Sequence, residues 1–460
     1  MTERTYDQPK IRTTERRNRI HAFFERFYQL SRYGTDIKTE VTAGITTFLT
    51  MAYVLVVIPG FLADAGMPPA GLYTSVCLIA IIGTFAHAFV SKLPLATSPG
   101  LGLTIFFAYT VVGPMGYTWQ QGLAAVAVSG MVFFVISITP ARAKIMDSLP
   151  QTIKIAITGG IGLFIALIGF KNAGIVVAVE GGMYFGNLGN PNVILSLIGL
   201  FATLLLMAKG IKAALIISIA LTTIIGIPLG VTDLSGLGFL SLPPSISGTF
   251  LQQDFAGLLG SDGIGFALLN IVMVILTISL VDLFDNIGTI LAVADRGNLY
   301  NEKGEVRNMK KALLCDSAST TISSFIGTTT TSTYLECSAG IASGGKTGLT
   351  ALTTGSLFVV ALFFSGLVSI IPGAATAPAL IVIGILMMNS LTKLDFSDIT
   401  EGAPAFFTIA LMPFTSSIAE GIAGGIISYV ILKIATKRFD EINPVMIILA
   451  LLFTLRFITL

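Results

Sequence analysis

Two carboxylates stand where charge is costly. Asp285 lies in 275–290 (ILTISLVDLFDNIGTI) and Glu336 in 328–345 (TTTTSTYLECSAGIASGG). Apart from a companion acid, Asp282, both stretches are dominated by apolar, small or hydroxyl residues. A carboxylate near a bilayer centre costs roughly 2.5–3.5 kcal/mol, so it faces a cavity or a partner and marks a substrate or proton path. Phe106 and Phe107, in the run TIFFAY, add flat apolar faces on which a ring can stack. Carboxylates accept hydrogen bonds from N–H groups. The combination suits a flat heterocycle carrying several N–H groups, and either acid could bind and release a proton during a cycle. Each group has a plainer reading as well. The phenylalanines could pack against lipid or core, and the acids could cap a helix. Asp316, near the start of a later apolar segment, reads as an organiser of hydrogen bonds. Asp282 precedes Asp285 by three residues, so either could face the cavity while the other supports it.

The elements that must position these acids are membrane helices. Of 460 residues 53% are hydrophobic and 11% are charged, against about 25% charged in soluble domains. The 48 glycines suit closely packed membrane helices. A formal net charge of +2 gives no reason to expect nucleic acid, and Cys77, Cys315 and Cys337 fall singly, without metal spacing. We expect no cofactor and no metal. The first forty residues are polar and Arg-rich and lack the apolar stretch of a cleavable signal, so the first span is expected to direct insertion.

Apolar runs long enough to cross a bilayer begin near Val41, Leu72, Gly100, Gly122, Ile153, Val193 and Lys212. A second set begins near Ile264, Lys311, Ser332, Thr350, Ala375, Ala403 and Ser416. That predicts an all-α polytopic membrane protein of about fourteen segments, seven on each side of a long loop. Segments three (94–113) and ten (328–345) are short, interrupted by Gly, Pro or Thr, and occupy matching places in the two halves. Such a pair is the sequence sign of an inverted-repeat transporter with its site at the midplane. In segment ten, Thr328–Thr333 favours an extended strand and the small residues 337–345 can begin a helix. Free N–H groups at that junction can bind acceptor groups. In segment three, Pro94, Pro99, Gly100 and Gly102 break regular structure, and a half helix could start within Thr104–Tyr109.

Orientation follows from Lys and Arg. Arg12, Arg16, Arg17, Arg19, Arg26 and Arg32 lie in the amino-terminal tail; Arg142 and Lys144 follow segment four; Arg296, Lys303, Arg307, Lys310 and Lys311 follow segment eight. Residues 172–192 and 231–263 contain neither Lys nor Arg. The first group is expected in the cytoplasm, the amino terminus with it, and the second outside. Lys433, Lys437 and Arg438 place the end of segment fourteen inside. The closing run 445–460, interrupted by Arg456, reads as an interfacial or packing helix. One motif misleads: 340–347 reads GIASGGKT, a phosphate-loop pattern, but it ends a membrane segment with no soluble α/β domain to house a nucleotide.

Four stretches carry a resemblance: TEVTAGITTFLTMAYVLVVIP from Thr39, SPGLGLTIFFAY from Ser98, LVDLFDNIGT from Leu280 and GTTTTSTYLECSAGIASGGKTGLTA from Gly327. The chain resembles the AzgA-like purine permeases of the nucleobase–ascorbate transporter superfamily, from about Thr39 to Lys437. The resemblance implies a seven-plus-seven inverted repeat with short strands in segments three and ten. It implies a core domain (39–148 and 264–372) and a gate domain (149–230 and 373–438). A cytoplasmic tail (1–38), an external loop (231–263) and a hydrophobic carboxy-terminal tail (439–460) complete the division. It implies proton-driven import of hypoxanthine, guanine or adenine through the plasma (inner) membrane by an elevator-like motion of core against gate, and a homodimer through the gate domains. The acid of the FDxxGT motif and the glutamate of the TYxE motif, here Asp285 and Glu336, would hold the base. Phe106, Thr104, Ile105, Cys337 and Thr289 are the further candidate substrate contacts, and Asp285, Glu336, Asp316 and Asp282 the candidates for proton coupling.

The chain departs from the family pattern at four places. Thr104 stands where the family usually has Asn, Ile58 where Asn precedes a proline, and Asn286 and Cys337 follow the two acids. A hydroxyl has a single donor hydrogen and less reach than a carboxamide, so Thr104 is the position expected to retune purine choice. The rival readings are an anion exchanger or channel of a related inverted-repeat fold, an intramembrane enzyme, and a non-transporting receptor. An exchanger would want a basic residue at a half-helix start; segments three and ten offer threonines and an acid. An enzyme would want paired carboxylates in one helix register, or His and metal ligands; Asp282 and Asp285 meet the first condition loosely, but His21 and His87 are badly placed.

Overall fold

The computed structural model describes residues 21–139, 149–179, 182–235, 238–258, 264–302 and 304–459. Arg12, Arg16, Arg17, Arg19, Arg142, Lys144 and Lys303 lie outside the described residues, as does the side chain of Arg456. Helices dominate. Among the described residues nine are long and apolar enough to cross a membrane, and shorter apolar helices span Leu101–Val111, Ala214–Gly226 and Pro444–Leu455. The protein is a multi-pass membrane protein.

In chain order the main helices are α1 (Ile37–Met51), α2 (Val54–Asp64), α3 (Leu72–Ala86), the short α4 (Leu101–Phe106), α5 (Trp119–Ile138), α6 (Gln151–Asn172), α7 (Pro191–Ala208) and α8 (Ala214–Gly226). There follow α9 (Ile264–Gly297), α10 (Met309–Ile326), the short α11 (Cys337–Ile341), α12 (Gly348–Ala361), α13 (Gly373–Met388), α14 (Ile399–Thr415), α15 (Ile418–Ala435) and α16 (Pro444–Thr459). Caps are set by sequence. Asp36 accepts from Thr39 N at the start of α1, and Thr118 and Gln121 form a reciprocal capping box on α5. Gly327 ends α10 at φ +94°, a left-handed turn that disfavours a side chain.

Two short strands break the helical pattern. β1 (Thr97–Pro99) precedes α4 and β2 (Thr331–Thr333) precedes α11. They pair antiparallel, Thr97 opposite Thr333 and Pro99 opposite Thr331. Gly100 extends the match, its N–H donating to Thr330 O at 2.8 Å. The first half helix begins at Leu101, not within Thr104–Tyr109, because Gly100 is the last extended residue and the chain turns helical at once behind it. The second is shorter than 337–345: it stops at Ile341, and Gly344 then takes a positive φ of 100°. An exposed hairpin, β3 (Val176–Val179) with β4 (Gly182–Phe185), follows α6.

The helices pack in two sets. α3, α9 and α10 pack against the strand pair, with α5 on α9 and α10 and α12 on α1 and α3; α6, α7, α8, α13, α14 and α15 pack on one another. A single apolar core runs through both. α16 buries Met446, Leu449 and Phe453 while Leu451 and Ile458 stay exposed. It rests on α15 and also touches α9, a packing role consistent with its composition. Beside it, Lys433 is buried between Glu401, at 2.7 Å, and Glu441. Arg438 bonds Asp398 at 2.5 Å and holds that carboxyl below its ordinary range.

The phosphate-loop pattern has a different occupant. Glu40 of α1 is fully buried and accepts from Lys346 N (2.9 Å), Thr347 N (3.3 Å), Thr350 N (3.1 Å) and Thr350 Oγ1 (2.6 Å). The N–H groups at the start of α12 are therefore taken by an acid of the chain itself, which would repel a phosphate. Glu40→Gln keeps one acceptor and aims an NH2 group at those donors. We expect it to destabilise the protein by about 1–3 kcal/mol, read as a drop of several degrees in the thermal midpoint of the purified protein.

Candidate functional site

The strand pair sets the geometry. Tyr334 N–H donates to Ala96 O (3.1 Å) and Tyr334 Oη to Pro99 O (2.5 Å), so the chain leaving β2 is held on β1 from both sides. Cys337 closes the same junction: Ala96 N–H donates to its Sγ at 3.1 Å. Cys337 is fully buried and its sulfur is committed to the backbone.

Glu336 sits between β2 and α11, partly exposed. Its Oε1 accepts from Tyr53 Oη at 2.6 Å. Tyr53 stands where α1 breaks into α2, at a turn closed by Val56 N donating to Tyr53 O at 3.0 Å. That break turns the phenol toward segment ten, and Thr50 of the same turn reaches Glu336 O at 3.5 Å. Asp285, on α9, is also partly exposed, beside Ser332 of β2. Thr330 Oγ1 is a buried hydroxyl without a hydrogen-bond partner among the described residues.

Asp282 is separated from Asp285 by burial. It is fully enclosed, with Oδ1 accepting from Asn286 Nδ2 (2.9 Å) and Oδ2 from Thr320 Oγ1 (3.2 Å). Asp285 is the acid on the open side of α9. Asn286 ties α9 to the strand: its Oδ1 accepts from Thr333 N (2.8 Å) and its Nδ2 donates to Thr331 O (3.4 Å). Asp316, on α10, accepts from Thr333 Oγ1 at 3.1 Å and lies 3.0 Å from His87 Nε2. The expectation that His87 stands apart from the acids is thus corrected. It continues α3 in the wider turn through Ser91, where its Nδ1 meets Ser91 Oγ at 3.1 Å.

The remaining predicted contacts are deeper. Thr104 is fully buried, its hydroxyl bonded to Gly100 O (2.8 Å) and to Thr329 Oγ1 (2.6 Å). It acts on the site by fixing Thr329 and the start of α4. Ile105 and Phe106 are buried in the apolar core, and Thr289 is buried one turn beyond Asp285 on α9. A side chain on Gly122 would run into the Phe107 ring, which packs against α5.

Residues 38–424 match the Xan_ur_permease family, described as Permease family. Adenine permease AdeQ of Escherichia coli K12 is 41% identical over 434 residues, 94% of this chain and 96% of that protein. The chain belongs to the nucleobase–ascorbate transporter family. Guanine/hypoxanthine permease PbuO of Bacillus subtilis is similar to the same degree, 41% identical over 93% of this chain and 98% of its own length. Among solved structures, the transmembrane domain of the cyanobacterial bicarbonate transporter BicA has a TM-score of 0.62 at 16% identity, covering 83% of this chain and 97% of that one. SLC26A9 gives 0.63 at 11% identity, covering 95% and 73%. At such identity the likeness is one of fold, so this permease shares its architecture with those structures.

The sequence does not single out Tyr53 or Thr329, and it marks Asn286 only as a departure from the family pattern and His87 only as badly placed. Each is a polar side chain in an apolar or threonine-rich run, and the same rule that singles out the two acids applies to them at lower cost. Nothing in their spacing says which partner each one meets: an acid for Tyr53, Asn286 and His87, and the Thr104 hydroxyl for Thr329.

Proposed function

We propose that this permease imports purine nucleobases with protons. The observation that carries the reading is the pair of partly exposed carboxylates, Glu336 and Asp285, beside an antiparallel strand pair whose other polar side chains are buried. Adenine, guanine and hypoxanthine each present an edge with N–H donors, and carboxylates are the acceptors for it. The adenine and guanine/hypoxanthine permeases similar to this chain over more than nine-tenths of its length support the substrate class.

In this reading Glu336 holds the N–H edge and Asp285 is the second, proton-linked acid. Asp282 and Asp316 serve the proton cycle from behind the strand, and Phe106, Ile105, Thr104, Thr289 and Cys337 shape the pocket. The helices around the strand pair form the core domain and the other set the gate. Fourteen segments would make a seven-plus-seven inverted repeat, supported by two strand–half-helix units that face each other antiparallel. The core would carry the base across an immobile gate, dimerised with a second copy, in the inner membrane with the amino terminus in the cytoplasm.

The test is uptake of labelled hypoxanthine by cells without their own purine uptake. Accumulation should be blocked by excess adenine or guanine but not by bicarbonate. A protonophore should abolish it, whereas replacing sodium should leave it intact. Accumulation that follows the sodium gradient would overturn the coupling; indifference to every purine would overturn the substrate class.

A further inference from the structure

We propose that Tyr53 sets purine selectivity by keeping one oxygen of Glu336 occupied; this rests on the purine reading above. Tyr53 is 1% exposed, and its hydroxyl donates to Glu336 Oε1 at 2.6 Å. A tyrosine ring enclosed in this way cannot swing aside without opening the break between α1 and α2. The other oxygen, Oε2, meets no side-chain donor among the described residues. Glu336 therefore offers a ligand one oxygen without a side-chain donor, while Tyr53 already takes one of the two acceptor directions of the other, so a second ligand donor must compete for it.

That difference matters because purines differ in how many donors share an edge. Guanine places a ring N–H next to an exocyclic NH2 group, two parallel donors that match both oxygens of a carboxylate. Hypoxanthine places its ring N–H next to a carbonyl, and adenine places its NH2 next to a ring nitrogen acceptor. A single free oxygen serves one donor from any of the three. The second donor of guanine then finds Oε1 already bonded to Tyr53. The native site should accordingly treat guanine and hypoxanthine alike, within about threefold. Removing the phenol oxygen frees Oε1 and gives guanine a second charge-assisted bond, which corresponds to roughly a tenfold gain or more.

The experiment is a set of competition curves. Adenine, hypoxanthine and guanine compete against labelled hypoxanthine uptake in the wild type and in Tyr53→Phe. The ratio of guanine to hypoxanthine inhibition constants is the readout, because it does not depend on how much protein reaches the membrane. A shift of about tenfold toward guanine in Tyr53→Phe is expected. A change of all three in parallel, or no change, would overturn the role of Tyr53 while leaving purine transport standing. Should Tyr53→Phe fail to fold, the wild-type curves still decide: a native preference for guanine over hypoxanthine of tenfold or more would contradict a half-occupied carboxylate. If no purine competes in the wild type, the reading on which the inference rests fails instead.

Discussion

Glu336→Gln should reduce purine uptake by roughly two orders of magnitude at unchanged surface expression. The carboxamide still offers Oε1 to Tyr53, so the local fold has no reason to change. On the free side, however, it can present an NH2 group where the base needs an acceptor. The substitution removes a charge-assisted hydrogen bond, about 1.5–3 kcal/mol, and sets donor against donor. Asp285, the proton-linked acid of the proposed scheme, is left in place, so the uptake that survives should still depend on the proton gradient. Initial rates normalised to surface protein give the measurement. Uptake at the wild-type rate would remove Glu336 from the site altogether.

The second large effect concerns stability. Asn286→Leu should destabilise the protein by about 3–5 kcal/mol. The leucine leaves Asp282 Oδ1 and Thr333 N–H, both buried, without the partners that Asn286 supplies at 2.9 and 2.8 Å. Buried polar groups stripped of partners cost more than the bond was worth, because water cannot replace it. The network around β2 shares its members, with Thr320 bonding both Asp282 and Thr331, so the loss should spread. Heating the purified protein before gel filtration should show the midpoint falling by many degrees. A midpoint within two degrees of the wild type would mean that α9 and β2 hold together without this bridge.

The acids were legible because a bilayer makes charge conspicuous. Asp285 and Glu336 stand out in apolar context, and the Thr run before Glu336 announces extended backbone. The same logic placed the helices, since spans are defined by length and apolarity alone. What stayed hidden were pairings. Thr104 enters as a candidate contact through the family pattern, which does not tell that its hydroxyl is bonded to Gly100 and Thr329. His87 looked isolated because Asp316, its partner, is 229 residues away. Nothing local to Glu40 announces its three backbone donors, which lie more than three hundred residues on. Periodicity reports which face of a helix is apolar. It does not report which helix that face will meet.

The strand pair has a consequence for how the protein is made. Ala96 and Cys337, bonded across the junction, are 241 residues apart, so β1 leaves the ribosome long before its partner exists. Until then its backbone groups lack their ladder, and a bilayer offers no water to satisfy them. The early segments must wait, unfinished, with β1 shielded by neighbouring helices or the insertion machinery. A chain cut short before Thr331 would have membrane helices but no strand pair.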